Sequence, residues 1–330
     1  MPMGRNWDII GHEWAVDLLQ NHLTNNHMRH AYLFTGPDGI GRRTLALRFA
    51  QAINHPDKIY DPTNVHSQQI ARMQHADLSV VQRQEGDRDL KIEAVRDLQH
   101  TLSLSPYMAA YRIALLLDFE QASEGASNAL LKTLEEPPGR VVLMVTAESA
   151  EALLPTIVSR CEVLRLRPVP LAELASGLQQ KHDLPAEQAQ LLAHLANGKP
   201  GYARMLAENP EILEQRTALL DDLRKLLTGS RVDRFAYANR FYQHKEELID
   251  TLTVWLTYWR DVLQQTTRSQ TPLTNLDRAD EIQQVAGAVD THTAHQATLA
   301  VESKLRDLRT NIEPRLAAEA LMLEIPRIRI

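Results

Sequence analysis

The residues Gly36-Pro37-Asp38-Gly39-Ile40-Gly41 stand between a compact apolar run at 32–35 and a helix-forming stretch at 44–53. Strand, glycine turn and helix in that order can cradle phosphate. Consecutive backbone N–H groups and the positive end of the helix face the oxygens. Chemistry on a nucleoside triphosphate asks more. A Lys must hold the outer phosphates, and the next residue must offer a Ser or Thr hydroxyl to Mg²⁺. Arg42 and Arg43 occupy those two positions. Arg42 keeps the charge, but a planar guanidinium does not replace a compact ammonium. Arg43 offers a metal no oxygen. Thr44 has a hydroxyl, one residue late and about 100° further round the helix.

A second run, 113–117, ends at Asp118, where a carboxylate that orders Mg²⁺ belongs. A Glu that activates water would come next, and this chain has Phe119 there, followed by Glu120. Along an extended chain Glu120 is expected to point the other way. Three readings of the loop stand open: a tight turn alone, a real but degenerate phosphate loop, and an active loop of unusual chemistry. The agreement of strand, glycine spacing and helix favours the second, and no hydrolysis by this site is expected.

These residues need a scaffold. Apolar runs at 32–35, 78–81, 113–117 and 141–145, with a weaker one at 163–166, alternate with helical stretches at 44–53, 92–104 and 122–135. That alternation predicts an α/β fold, a parallel sheet with helices on both faces. After Pro168 and Pro170 no convincing strand follows. Residues 171–206 carry short helical patterns broken by Gly198, Pro200 and Gly201. From 212 the helices lengthen, and Leu248, Leu252, Trp255, Trp259 and Leu263 form an amphipathic face. A polar loop is expected at 266–275.

Composition narrows the function classes. The 330 residues carry a net charge of −6, so no global basicity announces a nucleic-acid binder. The single cysteine, Cys161, excludes an intrachain disulfide framework and fits a reducing compartment. Residues 1–8 lack the apolar stretch of a signal peptide, and apolar runs of about six residues fall short of a membrane span. A soluble cytoplasmic chain is expected. His55, His66 and His75, with Asp57, Asp61 and Asp77, share the stretch 52–77, but their spacing matches no common zinc pattern. No metal site is expected, and these histidines are taken as solvated loop residues.

Two further motifs carry a family resemblance. Ala126-Ser127-Asn128-Ala129-Leu130-Leu131-Lys132-Thr133-Leu134-Glu135-Glu136-Pro137-Pro138 resembles the signature helix of bacterial clamp-loader ATPase-fold subunits. Pro155-Thr156-Ile157-Val158-Ser159-Arg160-Cys161 resembles their Ser-Arg-Cys motif. Ile9-Ile10-Gly11-His12 and His30-Ala31-Tyr32-Leu33-Phe34 resemble the family's opening segments, and Asn311-Ile312-Glu313-Pro314-Arg315-Leu316-Ala317 its last collar helix in the delta-prime branch. The likeness is strong over 9–167 and weaker beyond. Degenerate Walker residues beside an intact Ser-Arg-Cys motif resemble the delta-prime combination.

The resemblance implies an AAA+ P-loop (RecA-like) domain over 1–167, a helical lid over 168–209 and an all-helical collar over 210–330, the last carrying the main oligomer contacts. It implies that Arg160, with Ser159 and Cys161, acts in trans as an arginine finger on ATP held by a neighbouring subunit. The chain's own Gly36, Gly39, Gly41, Arg42, Arg43, Thr44 and Asp118 would then form a vestigial phosphate and Mg²⁺ site. No cofactor is required, and passive ATP or ADP binding stays open. The implied partners are gamma/tau motor subunits, the delta subunit and, through them, the sliding clamp and primer–template DNA. The implied setting is the DNA polymerase III holoenzyme, although nothing here resembles a polymerase active site.

Two other classes are weighed. An active AAA+ motor, whether a gamma/tau-like paralogue or a helicase loader, needs the absent Lys–Thr pair. A small-molecule P-loop kinase leaves the Ser-Arg-Cys motif unexplained. Departures from the family appear elsewhere too. The four cysteines that many members carry after the first helix are absent. Arg204 lies three residues beyond the sensor-2 position near Gly201, and Thr146 takes the sensor-1 position. Cys161 reads as a small core residue, and Trp255 and Trp259 as collar packing.

Overall fold

The computed structural model describes residues 7–308, 310 and 312–328. Asn311, part of the collar resemblance, lies outside them. The chain divides into two compact units. One comprises the residues up to Gly177 together with Gly198–Tyr202, and the other Leu178–Asn197 together with the residues from Ala203 onward.

The first unit opens with α1 (Glu13–Thr24), β1 (Ala31–Thr35), α2 (Arg42–Asn54), α3 (Val65–Ala71) and β2 (Leu78–Val81). It continues with α4 (Ile92–Leu102), β3 (Arg112–Leu116), α5 (Glu124–Glu135), β4 (Val141–Ala147), α6 (Pro155–Val158) and β5 (Glu162–Arg165). Among the described residues the strands form one parallel sheet in the order β2-β3-β4-β1-β5. Alternate residues build two cores. Tyr32, Phe34, Ile113, Leu115, Val142 and Met144 pack into one face with Phe49 and Leu19. Leu33, Ala114, Leu116, Leu143 and Val145 pack into the other with Val95, Leu98 and Leu130. Burial on both faces explains why the strands read as continuous apolar runs.

The helix expected at 122–135 starts at Glu124 because the Ser123 side chain caps it, accepting from Ala126 N. The stretch 52–77 departs from expectation more. It holds α3, capped by Asn64, and His75 is buried rather than solvated. His75 Nδ1 accepts from Asp77 N at 3.0 Å, so its ring proton is assigned to Nε2, which faces His66 Nδ1 at 3.3 Å. Asp77 is fully buried. Its carboxylate accepts from Tyr107, Met108 and Ala109 backbone N–H groups and lies 3.4 Å from Arg112 Nη2. Against the cost of burial, these donors hold its pKa below the usual carboxylate value.

Burial holds both His12 and His75 below the ordinary histidine value of 6.5. The unfolded chain therefore takes up these protons first. The stability they contribute is complete above pH 6.5 and is lost as pH falls through the depressed folded values. A thermal-denaturation series is expected to show a declining midpoint below pH 6.5. His75→Gln keeps an acceptor for Asp77 N without titrating, and should flatten part of that decline. A curve as steep in His75→Gln as in the wild type would exclude this origin.

The chain continues through α7 (Leu171–His182), α8 (Ala186–Leu195) and α9 (Pro200–Glu208) into α10 (Pro210–Thr228), α11 (Arg231–Asn239), α12 (Lys245–Thr266), α13 (Ala279–Ala288), α14 (Thr291–Asp307) and α15 (Pro314–Glu324). The second unit is all-helical among the described residues. Trp255, Trp259, Tyr258 and Phe241 are fully buried in its core, as the amphipathic spacing predicts for the tryptophans. The Trp255 indole donates to Leu219 O at 2.9 Å. Buried Asp261 closes the loop before α13 by accepting from Thr274 N, Asn275 N and Asn275 Nδ2. No helix among the described residues is long and apolar enough to cross a membrane.

Candidate functional site

The carboxyl ends of β1, β3 and β4 converge on the glycine loop, the place where parallel α/β sheets hold ligands. Gly36, Gly39 and Gly41 all have left-handed backbones, at φ 146°, 77° and 108°. At Gly39 a side chain would also be blocked, since a Cβ would stand 2.7 Å from Tyr202 Cβ. The loop is held from two sides. His12 Nε2 lies 3.2 Å from Ile40 O, and Tyr202 N donates to Gly39 O at 3.0 Å. Gly41 precedes α2 and gives it no side-chain cap.

Arg42 is the first residue of α2 and is only 8% exposed. Its Nη2 donates to Asp118 Oδ1 at 2.9 Å. Asp118 adopts a left-handed backbone at φ 46°, and its N–H donates to Thr146 Oγ1 at 2.8 Å. Thr146, near the end of β4, therefore supports the turn that aims Asp118. Arg43 is exposed and turns to Met73 Sδ at 3.2 Å, while Thr44 is half-buried.

This donor set fits an anion better than Mg²⁺. Asp118, the metal carboxylate of a working site, already has a guanidinium as counter-ion, and no hydroxyl follows Arg42. Arg42 Nη1 is buried without a hydrogen-bond partner, beside the uncapped start of α2.

The placement of Glu120 corrects the expectation from strand alternation. The strand ends at Leu116, and a single 3₁₀ turn covers Phe119–Gln121. Phe119 enters the core. The turn rather than strand alternation thus sets the direction of Glu120, whose carboxyl feels the charges of both Asp118 and Arg42. Its Oε2 is buried without a hydrogen-bond partner, and burial, reinforced by Asp118, raises its pKa. The defect at the metal position stands without any argument from alternation.

Lys199 was not singled out by its spacing. It lies against the Tyr202 ring, with Nζ 4.8 Å from the centroid, and burial lowers its pKa against the pull of Asp38. The Gly-Lys-Pro-Gly run around it was the available signal. Arg204 pairs with Glu208 one turn on, at 3.4 Å.

The Ser-Arg-Cys residues follow α6. Arg160 Nη1 donates to Thr156 O at 2.9 Å and Nη2 to Glu135 Oε1 at 2.7 Å, with the Arg160 side chain 35% exposed. Ser159 Oγ donates to Thr156 O at 3.2 Å. Burial pushes the Cys161 thiol up to about 12, which leaves it unreactive at neutral pH.

A family profile described as DNA polymerase III, delta subunit, matches residues 11–170, and a second profile, for the C-terminal part of the delta subunit, matches 210–326. The chain belongs to the DNA polymerase III delta-subunit family. Among its relatives, the subunit delta' of Pseudomonas aeruginosa is 34% identical over 203 residues, 60% of this chain and 61% of that one. The alignment thus spans under two thirds of that relative's length. The delta' subunit of Bacillus subtilis is 26% identical over 94% of both chains. The tau subunit of Escherichia coli is 29% identical over 59% of this chain and 32% of its own. A gamma-subunit-related protein of Thermotoga maritima shares the fold at TM-score 0.52 and 17% identity, covering 92% of this chain and 97% of that one. The delta-subunit match to 11–170 encloses the glycine loop, Asp118 and Arg160, so the family and the candidate site coincide in one unit.

Proposed function

We propose that this chain is the delta-prime-type, non-motor subunit of a DNA polymerase III clamp loader. It presents Arg160 in trans to ATP held by a neighbouring gamma/tau-type motor subunit. Its other partners are a delta subunit and, through the ring, the sliding clamp and primer–template DNA. The observation that carries the reading is the Arg42–Asp118 ion pair at 2.9 Å. The cation meant for phosphate and the carboxylate meant for metal neutralise one another, while Arg160 keeps its guanidinium at the surface. A guanidinium supplied by a neighbour stabilises charge that develops on the transferring phosphoryl group.

The chain's own site keeps a passive role at most. Arg42 and the start of α2 can hold phosphate oxygens without a metal. The isolated protein is expected to release no phosphate from ATP above background, and Asp118→Asn should leave that background unchanged. Any ADP or ATP affinity, titrated with a fluorescent nucleotide, should be the same in Mg²⁺ and in EDTA. A marked gain in affinity with Mg²⁺, or turnover abolished by Asp118→Asn, would show a working site. The reading as a whole is tested by reconstitution with motor, delta and clamp proteins from the same source. A chain that never enters that complex would refute it.

A further inference from the structure

We infer that Glu135 is the positioning residue for the Arg160 guanidinium. This rests on the reading of Arg160 as a finger. Glu135 is the last residue of α5, and Glu136 follows as its C-cap. Acids at that end face the negative pole of the helix dipole, where stability alone would favour a base. Glu135 offsets this by accepting from Arg160 Nη2 at 2.7 Å.

The second hold on the guanidinium comes from α6. Arg160 Nη1 donates to Thr156 O, a carbonyl in a helix of four residues whose late carbonyls have no partner within it. The backbone beneath is fixed as well, with Ser159 N donating to Pro155 O and Arg160 N to Ile157 O. One N–H on each terminal nitrogen is therefore engaged, and a guanidinium has others to offer an anion. Gripped at two points, the long side chain has lost much of its rotamer freedom before any phosphate arrives. That pre-organisation lowers the entropy lost on reaching the transition state.

The pair is exposed, at 35% for Arg160 and 53% for Glu135, so it contributes little to folding. Its effect should appear in rate instead. Reconstituted complexes carrying Glu135→Ala, Glu135→Gln, Arg160→Ala and the Glu135→Ala/Arg160→Ala double variant separate the possibilities. Glu135→Ala is expected to lower the kcat of the clamp- and DNA-stimulated ATPase at the neighbouring site about two- to fivefold, with KM for ATP unchanged. Glu135→Gln keeps the accepting oxygen and should recover most of the rate. The double variant should be no slower than Arg160→Ala alone. Thermal midpoints of the isolated variants should match the wild type.

A full rate in Glu135→Ala alongside a slow Arg160→Ala complex overturns the positioning role and leaves the finger standing. So does a further loss in the double variant, which would place Glu135's effect elsewhere. An unchanged rate in Arg160→Ala overturns the finger and this inference with it.

Discussion

An assembled clamp loader carrying Arg160→Ala is expected to load clamps at least about tenfold more slowly, less than the ~10³–10⁵ that a lost finger costs at a single site. The isolated variant should keep its fold. The side chain is partly exposed and its partners, Thr156 O and Glu135, are a surface carbonyl and a surface acid, so little stability is at stake. Bulk ATPase should fall less than loading, because other motor sites would have fingers of their own. One site silenced in an ordered cycle stalls the product while the remaining sites still turn over. Arg160→Lys should rescue incompletely, since an ammonium lacks the fork that Glu135 and Thr156 O orient. Side-by-side assembly, ATPase and loading assays decide it. Wild-type loading by a fully assembled Arg160→Ala complex would leave the chain a scaffold only.

Arg234→Ala is expected to destabilise the second unit by about 3–5 kcal/mol, because several buried carbonyls lose their donor at about 1–3 kcal/mol each. Arg234 is 6% exposed. Its guanidinium donates to Leu226 O, Met322 O, Ile325 O and Pro326 O at 2.8–3.1 Å. Leu226 lies in the last turn of α10, and Met322 in the last turn of α15. The cation thus sits at two helix C-termini and satisfies carbonyls that neither helix can satisfy itself. Burial and the nearby Arg327 lower its pKa, yet a guanidinium stays charged. Arg234→Lys places one ammonium where four carbonyls converge and should recover part of the loss, because three rotatable donors replace a fork. Urea unfolding should show an earlier midpoint with an unchanged slope for the same transition. A midpoint within error of the wild type would mean that water replaces the guanidinium without cost.

Much of the site was legible in the residues. Arg42, Arg43 and Phe119 stand at positions where chemistry demands other side chains, and such mismatches need no coordinates. The parallel sheet was legible because strands buried on both faces become unbroken apolar runs. The helical second unit was legible because Leu248, Leu252, Trp255 and Trp259 repeat at helical spacing, and they are buried on one core. The errors came where a local rule was applied beyond its range. Alternation places Glu120 only if the chain stays extended, and it leaves the strand at Leu116. Polarity suggests solvated histidines, but His75 is buried, accepting from the backbone of Asp77, whose carboxylate anchors the segment 107–109.

The sequence by itself determined that this phosphate loop lacks its lysine and hydroxyl, that a strand–helix alternation precedes a helical region, and that Arg160 sits in a recognisable motif. These are properties of residue type and short spacing, which the chain carries whatever its fold. Tertiary structure alone decided that Arg42 would meet Asp118, 76 residues away, and that Arg160 would be gripped by Glu135 across 25 residues. The partner a charge finds depends on which strand ends the sheet order brings together, and periodicity along one element contains no information about the register of another.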